Sequence, residues 1–131
     1  MAHTLLAADA IILDKGNVVL IRRKFPPFQG MWSLAGGMVN YRESAESAAV
    51  REAKEETNLD VKIKKLVGVY SKPGRDPRGH LVSVCFLCSK TGGEIKVTEE
   101  TLGVKEFSPE ELRNMQLAAD HKDMLRDAGV F

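Results

Sequence analysis

Apolar residues fall in short blocks separated by turn-forming positions. Leu5 to Leu13 and Val18 to Arg23 are apolar, β-branched runs on either side of Asp14-Lys15-Gly16-Asn17, a composition that predicts a hairpin with a tight turn. A loop with Pro26, Pro27 and Gly30 follows, then a short strand over Met31 to Leu34. The Gly36-Gly37 pair after it frees the backbone for unusual geometry and close approach. From Ser44 to Thr57 there is neither Gly nor Pro, and Ala45, Ala48, Ala49 and Ala53 recur at helical spacing behind Ser44 as N-cap. Strands are predicted at Val61 to Tyr70 and Leu81 to Cys88, separated by the loop Ser71 to Gly79, and a last short strand at Val104 to Phe107. Ser108-Pro109-Glu110-Glu111 combines an N-cap, a proline at N1 and a capping-box glutamate, so a helix starts there; a terminal helix is expected over Ala118 to Ala128. No repeat, low-complexity tract or linker interrupts the pattern, and one domain over 1–131 is expected.

Charge narrows the function. Lys and Arg number 19 against 18 Asp and Glu, and a net charge of +1 gives no field to draw in nucleic acid or an anionic membrane. Any anion specificity must come from local clusters. No apolar run approaches a membrane span, and the N-terminus lacks the pattern of a secretory signal, so the expected location is the cytoplasm. Cys85 and Cys88 form a C-x-x-C within an apparent strand, where residues three apart point to opposite faces; they read as packing residues rather than a metal or disulfide pair.

The chemistry is concentrated on the predicted helix. At about 100° per residue, Glu56 lies roughly 40° to one side of Glu52 and Glu55 roughly 60° to the other, so three carboxylates share a face. Like charges at i,i+4 cost about 0.2–0.5 kcal/mol per pair, and a cation reverses the sign. Mg²⁺ prefers such hard oxygen ligands, and Gly36-Gly37 offers backbone carbonyls beside them. Taken alone, Glu-x-x-Glu-Glu reads sooner as the acidic face of a solvated helix than as a metal site.

The wider spacing separates these readings. Gly37, five residues, Glu43, seven residues, then Arg51-Glu52-Ala53-Lys54-Glu55-Glu56-Thr57-Asn58-Leu59 closely resembles the signature of the Nudix hydrolases. Ala53 is smaller than the usual aliphatic. Asn58 replaces the closing glycine and is the next-best residue for a left-handed helix cap. The resemblance implies an α/β/α sandwich with a central mixed sheet and a catalytic loop-helix-loop. It also implies that Glu52, Glu55 and Glu56 face Mg²⁺ (or Mn²⁺), that Arg51 orients a carboxylate, that Glu43 supports the start of the helix, and that Gly36 or Gly37 supplies a carbonyl. The implied reaction is attack of water on phosphorus in a nucleoside diphosphate linked to another group. Glu52, Glu55, and Glu99 or Glu100 before the last strand are alternatives for the residue that takes the proton. A homodimer is a common assembly of such enzymes.

Outside the motif, Val69 to His80 resembles the loop of small microbial ADP-ribose pyrophosphatases, with Pro73 at a matching position. Arg75 and Arg78 suit a phosphate or ribose, because guanidinium forks bind phosphate oxygens bidentately. Of Arg22 and Arg23, alternation allows one to face the site. Phe28 is a stacking platform for a base, and Trp32 is a platform or part of the core. His80 and His121 are assigned no chemistry. The expected substrate is ADP-ribose, giving AMP and ribose 5-phosphate. The alternatives are an oxidised nucleoside triphosphate, another nucleotide sugar or a dinucleotide, and, from another class, a non-catalytic nucleotide-sensing module.

Overall fold

The computed structural model describes residues 2–131. Seven strands form one mixed sheet: β1 (Leu5–Asp14), β2 (Asn17–Arg23), β3 (Trp32–Ser33), β4 (Ala35–Met38), β5 (Asp60–Tyr70), β6 (Leu81–Gly92) and β7 (Thr101–Phe107). Three helices complete it: α1 (Ala45–Thr57), α2 (Pro109–Arg113) and α3 (His121–Asp127). The β1–β2 turn has positive φ at both Lys15 (51°) and Gly16 (85°), the backbone a two-residue hairpin loop demands, with Asp14 opposite Asn17.

β1 organises the sheet. Along one edge it runs parallel to β6 from Leu5 to Leu13. Along the other it pairs antiparallel with β2 at Ile12 to Asp14 and with β4 at Ala7 to Ala10. β1 and β2 therefore part company midway, with β4 on β1 and β3 on β2 filling the fork. β4 was expected as a glycine loop of unusual geometry, yet it is an ordinary strand. Its glycines are needed for room: a Cβ on Gly36 would lie 2.6 Å from the Ala8 carbonyl oxygen, and one on Gly37 would lie 2.5 Å from Glu52 Cδ.

Helices cover both faces, giving the expected sandwich. Ala48, Ala49 and Ala53 of α1 are buried with Ala8, Ala10, Ile12 and Phe86 on one face; Leu112, Met124 and Leu125 of α2 and α3 are buried with Ile11, Leu20 and Cys85 on the other. Each large apolar side chain so buried contributes about 1.5–3 kcal/mol. Ala53 is fully buried, its small size letting α1 lie close to the sheet. Cys85 and Cys88 sit in opposite clusters, both free thiols whose ionisation burial pushes upward. Among the described residues no helix is long and apolar enough to cross a membrane.

Candidate active site

The loop-helix-loop from Gly37 to Leu59 is fixed at both ends. Ser44 Oγ accepts from the Ser47 N–H at 3.0 Å, satisfying a first-turn donor, and Asn58 closes the helix in the left-handed region (φ 67°), its N–H donating to Lys54 O at 3.0 Å. Thr57 Oγ1 then accepts from the Leu59 N–H at 3.1 Å.

Arg51 is the hub of the helix face. Its Nε and Nη2 grip both Glu43 oxygens at 2.8 and 2.9 Å, Nη2 also donates to Met38 O at 3.0 Å, and Nη1 reaches Glu52 Oε1 at 2.7 Å and Glu55 Oε2 at 3.2 Å. This grip, with the Asn40 N–H, pulls the Glu43 carboxyl down to about 2. Glu43 thus anchors Arg51, and Arg51 holds two of the three remaining carboxylates.

Those carboxylates differ in setting. Glu52 and Glu56 line a pocket opened by the fork between β1 and β2, whereas Glu55, with a 44 % exposed side chain, stands outside it beside Arg51. Glu56 is buried and its Oε1 accepts from the Gly36 N–H at 2.7 Å. Burial raises its pKa to about 8 against the pull of that N–H, with the Glu52 and Asp9 charges adding to the rise. Burial also raises Glu52. Two carboxyls facing one cavity and resisting ionisation, beside the backbone of Gly36 and Gly37, are a hard-oxygen donor set whose missing ingredient is positive charge; they fit a divalent cation. Among the described residues no three acidic, His or Cys side chains form a preassembled cage, because Arg51 keeps Glu55 and Glu52 to itself.

The opposite wall is cationic. Arg23, not Arg22, faces the pocket; its Nε donates to Pro27 O at 2.7 Å, and burial, then the nearby Arg78 charge, lowers its pKa. Arg78 binds both oxygens of the buried Asp76, at 2.9 and 3.0 Å, and also lines the pocket. Phe28, at φ 62°, presents its ring to the same space. Trp32 is instead packed edge-to-face on Phe107, centroids 5.0 Å apart. Arg75, expected to be a substrate ligand, lines the same pocket with its guanidinium bonded within the protein. Nε and Nη2 bind Asp120 at 2.8 and 2.6 Å, and Nη1 binds Leu81 O and Ser83 Oγ, both at 3.0 Å. Glu100 lines the pocket; Glu99 does not, and only its carbonyl is engaged, by Lys24 Nζ at 2.9 Å.

Two pocket residues were not anticipated as functional. His121 is buried, and its Nδ1 accepts from the Leu34 N–H at 3.0 Å, leaving a neutral ring whose pKa burial lowers. Asp9 is 6 % exposed, and its Oδ2 has no hydrogen-bond partner. It had a visible signal: the one charge inside the apolar run from Leu5 to Leu13.

The chain is similar to known proteins over nearly its whole length. The NUDIX domain model matches residues 3–128. An ADP-ribose pyrophosphatase of Methanocaldococcus jannaschii is 44% identical over 126 residues, 95% of this chain and 73% of that protein. A putative 8-oxo-dGTP diphosphatase of Bacillus subtilis is 39% identical over 104 residues, 78% of this chain and 65% of that one. Among solved structures, the NUDIX domain of Shewanella oneidensis NrtR complexed with ADP ribose superposes with a TM-score of 0.86 at 26% identity, covering 98% of this chain and 88% of that one. With the Gly37–Leu59 motif, the mixed sheet and the matching domain model extending over nearly the whole length, the chain belongs to the Nudix hydrolase family.

Proposed function

We propose that the protein hydrolyses ADP-ribose to AMP and ribose 5-phosphate in the cytoplasm, using Mg²⁺ that Glu52 and Glu56 would hold with a carbonyl from Gly36 or Gly37, Glu55 joining them on release from Arg51. The observation that carries this reading is the sharing of one pocket by Glu52 and Glu56 on one side and Arg23 and Arg78 on the other. A pyrophosphate linking two sugars answers both walls at once. A bound divalent ion supplies charge neutralisation at phosphorus and acidifies a water. Arg23 and Arg78, whose charges repel, are relieved by phosphate oxygens between them. The oxygen of water bonds to one phosphorus, the bridging P–O bond breaks, and the departing phosphate keeps that oxygen. Glu100 takes the proton from the water, since its carboxylate faces the pocket while Glu52 is bonded to Arg51. Phe28 stacks on the base, and Arg75 acts at one remove, by positioning Asp120 and Ser83.

The kinship to the Methanocaldococcus enzyme supports ADP-ribose, and that to the Bacillus protein keeps 8-oxo-dGTP as the second reading. A panel of ADP-ribose, 8-oxo-dGTP, ADP-glucose and diadenosine polyphosphates with Mg²⁺, followed by chromatography of the nucleotide products, tests the choice. ADP-ribose is expected to give the largest kcat/KM with AMP as product; equal turnover of 8-oxo-dGTP overturns the assignment.

A further inference from the structure

Asp9 sits where a carboxylate is costly. It lies mid-strand between Ala8 and Ala10, both fully buried, and on the same face of β1 as buried Ile11. Its Oδ2 is shielded from solvent and accepts no hydrogen bond from any described residue. Burial pushes the Asp9 carboxyl toward its neutral form against the pull of the His121 and Arg75 charges, and an unpaired oxygen on a buried polar group is costly in either form; nothing in the sheet ladder needs it, because β1 pairs with β4 and β6 through its backbone. The neighbouring strand nonetheless makes room for it: a side chain on Gly36 would run into the Asp9 carboxylate. The carboxyl lines the same pocket as Phe28 and Glu56, with Leu34 and Ala118 among the apolar lining and Arg75 and His121 as the charged or ionisable groups that act on it. His121 Nδ1 and the Arg75 guanidinium are engaged within the protein, so an aromatic ring, apolar patches and one unpaired acceptor in a shared pocket suit a flat heterocycle carrying an N–H donor.

Resting on the nucleotide reading above, we propose that Asp9 is a specificity-determining residue whose Oδ2 accepts a hydrogen bond from the 6-amino group of the substrate's adenine. The interaction pairs an otherwise orphaned group, so a base without the amine leaves the carboxylate buried and unsatisfied. Sites of this kind reject the analogue lacking the donor far more strongly than apolar pockets reject a missing methylene.

The test compares AMP with purine riboside 5′-monophosphate, which lacks only the 6-amino group, by calorimetric titration of the full chain with Mg²⁺. AMP is expected to bind at least about tenfold more tightly. In Asp9→Val and Asp9→Ala, which have no acceptor, the difference is expected to shrink to about twofold, chiefly through weaker AMP binding, with the melting temperature retained. Equal affinities of the two ligands for the wild type overturn the proposal without recourse to any variant. An equal loss of both ligands in the folded variants also overturns it, since that marks a structural role. ADP-ribose turnover by the wild type is measured alongside. Base discrimination without turnover counts against the hydrolase reading and leaves Asp9 standing, whereas turnover without discrimination does the reverse.

Discussion

The Gly36 N–H donates to Glu56 Oε1 at 2.7 Å, so the most deeply buried carboxyl of the motif is held by the backbone of the strand opposite it. Gly36 and Gly37 serve this contact differently, and alanine at each is expected to fail differently. At Gly36 the new Cβ meets backbone, the Ala8 carbonyl oxygen at 2.6 Å, and β4 must shift; a loss of about 2–4 kcal/mol in chemical denaturation is expected. At Gly37 it meets the mobile end of Glu52, 2.5 Å from Cδ, so stability should change by less than about 1 kcal/mol while Mg²⁺ affinity falls.

Removing carboxylates should separate their roles. Glu56→Gln and Glu52→Gln are expected to reduce kcat/KM by about 10²-fold or more, because each faces the pocket. Glu55→Gln, outside the pocket and bonded to Arg51, should cost less. Steady-state assays over a range of Mg²⁺ decide this. If neither Glu55→Gln nor Glu56→Gln alters Mg²⁺-dependent hydrolysis of any nucleotide, the metal assignment is wrong.

The metal-free protein should lose stability as pH rises. Glu56 has a folded pKa of about 8 against an ordinary value of 4.5, so between these values the folded state holds a proton that the unfolded state has released. Its contribution is therefore most favourable below about 4.5, declines toward about 8 and levels off above. Thermal melts of metal-free wild type and Glu56→Gln across this range should diverge, with the variant flatter. Saturating Mg²⁺ should offset the wild-type decline by taking the place of the proton.

Arg51→Lys is not a conservative change here. Lysine keeps the charge but cannot grip both Glu43 oxygens while reaching Glu52 and Met38 O. A loss of about 1–3 kcal/mol is expected in denaturant melts. Glu43→Gln should weaken Mg²⁺ binding about 10–100-fold, although Glu43 faces no pocket, because it orients the residue that orients Glu52.

Glu100→Gln tests the proton acceptor. Its kcat is expected to fall by about 10²–10⁴-fold, with Mg²⁺ affinity near wild type. A parallel fall in metal affinity would make Glu100 a ligand instead.

What the sequence discloses depends on whether the cause of a feature is local. The helix Ala45–Thr57, its Ser44 cap and the Asn58 stop are readable because caps, spacing and φ preference act within a few residues. The motif is readable because its partners lie on one helix and the loop leading into it. β4 is not, since Ala-Gly-Gly-Met has little strand preference and becomes a strand only because β1 offers it an edge. β6 outruns its apolar pattern to Gly92 because Ser89 to Gly92 pair with the start of β5. The placement of Arg75 at the pocket could be suspected from the loop sequence, but its partner Asp120 lies 45 residues away, beyond any local rule. Asp9 was legible as an oddity, but its orphaned oxygen exists only once the fork between β1 and β2 is formed.

The grip of Arg75 on Asp120 has a mechanical consequence. Asp120 opens the seven-residue α3, whose last residue, Asp127, accepts from Tyr70 Oη at 2.7 Å. A helix so short does not hold itself together in water, so clamps at both ends make the segment from Tyr70 to Leu81 and the terminal helix one rigid jaw. A segment tied in this way is restrained from folding down over the pocket that Arg78 and His121 line. Selectivity on that side would then be built in before the substrate arrives.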